Sequence, residues 1–238
     1  MTVSAMQDKV SNLLGDPNNG TWTDATHILP ALNFAQDQFV ISVLAYGQGN
    51  DNVFDALSEL QTAKEITVGS SGYNLDDLNS SPGPVVRGGL ISSKVVLDNE
   101  TKWVARRPIR NLAQKANRYL KGSDERPTCY LLDNTYYLEV DSGSLNATVT
   151  LYYVREPKEL VASGATGYQV ATCELNGIYH ELVSRMATAE CHRMKGDATN
   201  FNKYKSLAVE IEADLKKIAL GGASEPGAEK TEAWDLNA

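Results

Sequence analysis

Cysteine is scarce in this chain. Cys129, Cys173 and Cys191 are odd in number and far apart among 238 residues, so no disulfide framework can be read from them. None is needed, because a chain of this length buries roughly 70% of its unfolded surface on folding. A charged-then-apolar leader is also missing, since Met1 to Gln7 is short and mixed; a reducing cytoplasm is the expected compartment. The longest apolar run, Phe39 to Tyr46, has eight residues and includes Ser42. A membrane-spanning helix needs about 20, so a soluble protein is expected. Basic charge is thin in the first hundred residues, with four basic against twelve acidic side chains, and the formal net charge is −8. That balance disfavours a general nucleic-acid reader, which carries a dominant basic face.

Recognisable catalytic sets are missing as well. His180-Glu181-Leu182-Val183-Ser184 is half of a zinc-protease helix, with Ser184 where the second histidine would stand. The plain reading is a helix whose polar face carries His180 and Glu181. Cys191 and His192 are adjacent, and neighbouring helix positions do not face each other, so a packed cysteine beside a surface histidine is expected. Asp16, Asn18 and Gly20 resemble the opening of a calcium loop, but the glycine comes one position early and Pro17 and Trp22 fit poorly; a polar turn is the better reading. Gly47-Gln48-Gly49 lacks the preceding strand and third glycine of a dinucleotide loop and reads as a helix terminator. No catalytic residue, metal site or cofactor is assigned, and the chain is read as a non-enzyme. A metal-dependent hydrolase using scattered Asp and Glu is the remote alternative.

What is present is an α+β layout. Val3 to Leu14 has Met6, Val10 and Leu13 at helical spacing, with Ser4 as N-cap and Gly15 as stop. Ile28, Leu32, Ala35, Phe39, Val43 and Tyr46 form one stripe of a second helix, which starts near Thr26 or kinks at Pro30. Val53 to Leu60 reads as a turn or two of helix. Lys64 begins β structure, and Gly69 to Gly89 reads as a long loop that projects as an arm or lies across a neighbour. A hairpin around Asp98-Asn99-Glu100 follows, then a short helix marked by Ile109, Leu112, Ala116 and Tyr119. Cys129 to Leu132, Tyr136 to Val140 and Ala147 to Val154 suggest an antiparallel meander. Thr172 caps a helix with Leu175, Ile178, Leu182, Met186 and Ala189 on one face, ended at Gly196-Asp197. A last helix carries Phe201, Tyr204, Ala208, Ile211, Leu215 and Ile218. The expected organisation is an N-terminal helical part (1–63), an inserted antiparallel β domain with a short helix (64–160), a C-terminal helical part that completes the bundle (161–220) and a flexible, acidic tail (221–238).

Charge is redistributed in residues 101–130, where eight basic side chains meet two acidic ones. Lys102, Arg106, Arg107, Arg110, Lys115, Arg118, Lys121 and Arg126 are either a solvated face or a contact with the acidic N-terminal half of a neighbouring copy, head-to-tail and able to close a ring. Trp234-Asp235-Leu236 is either incidental or a docking anchor. Tyr136, Tyr137, Tyr152 and Tyr153 are a candidate platform for a carbohydrate- or receptor-binding alternative, although strand alternation buries about half of them.

Several phrases resemble one family: Gly15-Asp16 with Trp22-Thr23-Asp24, Leu32-Asn33-Phe34-Ala35-Gln36, Arg107-Pro108-Ile109-Arg110, Pro127 with Tyr130, Tyr152-Tyr153 with Pro157 and Leu160, and Gly196-Asp197 with Tyr204. Together they are similar to the head-to-tail adaptor (connector) proteins of tailed bacteriophages, especially the tail tubular protein A type of short-tailed phages. The resemblance covers most of residues 3–220. It implies a helical bundle with an inserted β domain, and a twelve-fold ring in the virion neck, assembled in the host cytoplasm. The ring binds below the portal protein, extends the DNA channel without specific DNA binding and receives the downstream tail or nozzle protein. On that reading Arg106, Arg107, Arg110 and Arg118 are expected at the subunit interface, and Tyr204, Ile211, Leu215, Trp234 and Leu236 at the portal or tail.

Overall fold

The computed structural model describes residues 1–18, 20–46, 56–78, 83–108, 122–141, 147–164 and 169–219. At its start the chain is extended and pairs with a distant segment: Val3 N donates to Ala171 O, Cys173 N donates to Met1 O, and Thr2 bridges Thr172. Helix α1 (Val3–Leu13) follows. Its cap is Thr2, whose Oγ1 accepts from Ala5 N at 3.3 Å, and not Ser4. Val3 is already helical, so Thr2 is the last extended residue whose hydroxyl can reach the first-turn amides. Gly15 ends the helix at φ 72°, a left-handed conformation that lets Gly15 N and Asp16 N bond back to Asn12 O and Ser11 O.

One π turn, Asp24–Ile28, precedes α2 (Leu29–Tyr46), and the helix runs on through Pro30, which has no N–H and directly follows the bond from Leu29 N to Asp24 O. The expected stripe is buried at Ile28, Leu32, Ala35, Phe39 and Val43, and a second stripe, Ala31, Val40 and Leu44, is buried beside it. Residues 24–45 are long and apolar enough to cross a membrane by length and composition. Their apolarity has a local use here, because α2 packs against both helices and strands.

Among the described residues of Val53–Leu60, the chain makes a turn and a 3-10 turn, Ser58–Leu60, that buries Leu57 and Leu60; residues 51–55 lie outside the described part. The β unit is two four-stranded sheets. The first has the order β1 (Gln61–Val68), β8 (Ala147–Arg155), β3 (Val85–Leu97), β4 (Glu100–Trp103). The second is β2 (Tyr73–Asn74), β7 (Thr135–Glu139), β6 (Thr128–Leu132), β5 (Ala105–Arg106), with β5 parallel to β6. The meander expectation fails at its third strand. β6 and β7 form a hairpin, but β8 leaves it to pair with β1 and β3 in the other sheet. Val149, Leu151 and Tyr153 are fully buried, so β8 gains a core face and two neighbours there.

The Gly69 to Gly89 loop also differs from expectation. It contains β2, a 3-10 turn (Leu75–Leu78) and the start of β3, and Leu75 and Leu78 pack into the β core. Its described residues therefore form part of the sandwich; residues 79–82 lie outside the described part. β3 bulges between Val85 and Ser92, where a Cβ on Gly89 would stand 2.9 Å from Val154 O. Ser93 and Tyr136 hydroxyls meet at 2.9 Å between the sheets, a buried polar bridge in an otherwise apolar core.

After short parallel strands β9 (Glu159–Leu160) and β10 (Gln169–Val170), the chain returns to the helices. Thr172 is taken up by its bridge to Thr2, so it caps nothing. Asn176 instead caps a 3-10 turn, Gly177–Tyr179, through Ile178 N, and α3 (His180–Met194) begins one residue later. Ile178 is consequently 57% exposed and off the expected face. His180 is buried and its Nε2 meets Leu175 O at 2.8 Å, while Glu181 pairs with Lys9 and Arg185. His180 and Glu181 thus do not share a polar face. Helix α4 (Ala198–Ala219) folds back along α3 after the turn at Gly196-Asp197, with Asp197 accepting from Asn200 N.

Candidate interaction surfaces

Where the bundle closes, Trp22 is the hub. Asp16 accepts from the backbone N–H groups of Gly20, Thr21 and Trp22; these bonds hold its carboxyl below the usual range and fix the turn that delivers the indole. Trp22 meets His27 and His192 edge-on, with centroids 5.8 and 5.7 Å away, and Lys195 lies over its face. His192 is buried, not on the surface, because Trp22, and Tyr204 of α4, pack against its ring. Its ring stacks on Tyr204 at 5.5 Å, and Tyr204 Oη donates to Leu13 O at 2.7 Å.

That geometry locates the expected docking residues unevenly. Tyr204 ties α4 to α1 and α3. Ile211 and Leu215 belong to α4 by backbone, their side chains lying outside the described part, as do Trp234 and Leu236 and the tail with them. Among the basic residues, Arg106 lies on β5, the edge strand of the second sheet, and Arg107 directly follows it, with Ala105 N and Arg107 N bonded to Pro127 O and Cys129 O. Arg106 is exposed and Arg107 half-buried. Arg110 and Arg118, and the helix expected from Ile109 to Tyr119, lie outside the described residues.

Beside that edge strand the β unit and α2 enclose a groove of about 830 Å³. Ile41, Leu44, Leu75, Val86 and Leu131 give it an apolar floor, and Arg106, Asp76, Asp133 and Glu156 line it with charge. Asp37 lies one helical turn before Ile41. Partial burial and the charge of Glu156 raise its carboxyl to about 6. Burial, with the charge of Asp76, raises Glu156 as well. The groove was not foreseen, since its walls come from segments about 100 residues apart in sequence. The only signal was the acidic bias of the N-terminal half.

All three cysteines are buried and unpaired, and burial raises their thiols, that of Cys191 to about 12, so none is a ready nucleophile. No cluster of three or more His, Cys, Asp or Glu suited to a metal occurs among the described residues. The tyrosine platform is split. Tyr136 and Tyr153 are core residues, whereas Tyr137 stacks on Tyr130 and Tyr152 packs against exposed Trp103 on the outer face of the other sheet.

Two matching phrases turn out to be contact points. Asn33 and Gln36 on α2 bond the backbone of Leu160 and Lys158, and Asp16 organises the approach to Trp22. Compared with family models, the chain matches the one described as SU10 adaptor protein over residues 1–224. No curated protein matches it.

Proposed function

Because the chain belongs to the SU10 adaptor protein family, and is thereby a structural adaptor of a bacteriophage, we propose that it is one subunit of a twelve-fold ring in the virion neck. The ring binds below the portal protein, continues the DNA channel and offers a seat to the downstream tail or nozzle protein. The family match across 224 of 238 residues carries this reading. The fold supports it, because helices from both ends of the chain pack together in one core, and the β sandwich, inserted between them in sequence, has a second core of its own.

In this reading Arg106, Arg107, Arg110 and Arg118 contact the neighbouring subunit, arginine being suited to carboxylates at interfaces. The far end of α4, with Ile211 and Leu215, and the tail with Trp234 and Leu236 face the portal. Tyr204 serves that contact by fixing the angle at which α4 leaves the bundle. Twelve copies would carry a formal charge of about −96, and acidic walls repel phosphate, so DNA slides through without specific binding.

Mixing the protein with the portal protein encoded by the same genome and measuring the mass of the product by native mass spectrometry tests the proposal. Twelve copies per portal are expected. A chain that stays monomeric and unbound refutes it.

A further inference from the structure

We propose that the groove between α2 and the β unit is the acceptor for the basic stretch of a second copy of this chain, residues 109–121, and so forms one side of the subunit contact. This rests on the adaptor reading above and names the surface that answers its arginines.

Three observations carry it. Ile41 is 49% accessible at the groove although it sits on a core helix, while Leu44, Leu75 and Val86 beside it are buried. Its charged lining is net acidic, since Asp76, Asp133 and Glu156 outnumber Arg106, and Asp37 adds a further carboxylate one turn along α2. Burial, and after it the neighbouring carboxylates, raises Asp37 and Glu156, and an arriving cation would favour their charged forms. The wall is also fixed before anything binds. Asn134 Nδ2 donates to Asp76 Oδ1, and Leu75 N donates to Asn134 O, so the β6–β7 hairpin tip is fastened to the 3-10 turn.

The occupant is identified by complementarity. Residues 109–121 contain Arg110, Lys115, Arg118 and Lys121 and no acidic residue, with Ile109, Leu112, Ala116 and Tyr119 at helical spacing. The sequence offers four cations, with apolar residues among them, to a net acidic groove in which Ile41 is exposed. The tail cannot take this place by charge, because Glu225, Glu229, Glu232 and Asp235 outnumber Lys230. Pro108, the last described residue before the stretch, borders Arg106, Arg107 and Leu131. Thirteen residues tethered at both ends can reach at most about 20 Å. Electrostatic pairing of this kind fixes register between copies.

The test uses the complex assembled with the portal protein of the same genome. Cysteines are introduced as Ala45→Cys in the groove and Ala113→Cys in the basic stretch, with the three native cysteines buried. Mild oxidation is expected to link copy to copy, giving a ladder on non-reducing electrophoresis. In parallel, Asp76→Lys with Glu156→Lys, or Arg110→Glu with Arg118→Glu, should each cut the assembled fraction about tenfold or more. The chain carrying all four changes should recover it. A crosslink confined within one copy, or none while rings form, overturns the groove proposal and leaves the adaptor reading standing. Failure of the unaltered chain to assemble at all overturns both. Thermal melting of each variant separates lost assembly from lost folding.

Discussion

Asn33 and Leu160 exchange a pair of hydrogen bonds: Leu160 N donates to Asn33 Oδ1 at 2.7 Å, and Asn33 Nδ2 donates to Leu160 O at 3.1 Å. A side-chain amide on α2 thus completes the edge of β9 as another strand would. Gln36 adds a bond to Lys158 O at 2.9 Å, so one helix face holds the chain at the point where it leaves the β unit and returns to the bundle. Asn33→Ala removes both partners of a backbone unit and leaves Leu160, a fully buried residue, with unsatisfied polar groups. The expected loss is about 2 kcal/mol, measured by denaturant unfolding, whereas Phe34→Ala, at an exposed neighbour on the same helix, should change stability little.

Ser93 and Tyr136 tie the two sheets through their hydroxyls. Burial drives the Tyr136 phenol far above its ordinary range, so it stays neutral, and either hydroxyl can be the donor in that bond. Tyr136→Phe should cost about 1 kcal/mol by stranding the Ser93 hydroxyl. The double change to Phe and Ala should cost less than the sum of the single ones, which a double-mutant cycle reads directly.

Asp16 predicts an acid-dependent effect. Its folded carboxyl is depressed by the Trp22, Thr21 and Gly20 amides, so its stabilisation is fully present above the unfolded value and is lost as pH falls through the lower folded one. Asp16→Ala should therefore lower the melting temperature at pH 7 and make little difference near pH 2, as thermal scans at the two values would show.

Asp37 has the opposite sign. Its folded carboxyl stands at about 6, above the unfolded value, so ionising it in the fold opposes stability once pH rises past that point. Asp37→Asn should stabilise the monomer at pH 7 to 8, by less than about 1 kcal/mol because solvent screens a group this exposed. The gain should disappear as pH falls through 6 towards 4. Equal stabilisation at both ends of a pH series would contradict the raised carboxyl of Asp37.

Much of this architecture was legible because its signals are local. Asp98-Asn99 and Asp133-Asn134 have positive φ at both central positions, the turn chemistry that closes two-residue hairpins, and both hairpins could be read from those residues. The α2 stripe and the Gly15 and Gly196 stops were equally plain. What failed was non-local. Nothing near Ala147–Val154 says that it joins β1 and β3 in place of β7, because strands of either choice alternate alike. The segment after Gly69 has a loop's composition, yet Leu75 and Leu78 bury themselves where a second sheet waits for them. His180 and His192 were placed outward by helix spacing alone, which cannot show that α3 is covered from more than one side. Asn33 and Gln36 looked like ordinary polar helix residues until the return of β9 gave them a backbone to bind.

The central claim is that this chain is a neck component arranged as a ring. Imaging of purified virions by cryo-electron microscopy, with the subunit fold fitted into the density, tests it most directly. The account predicts twelve copies around the DNA channel immediately below the portal, each with its helical bundle and β sandwich recognisable. Density for this fold at the tail tip, on the capsid shell or nowhere in the particle would contradict it.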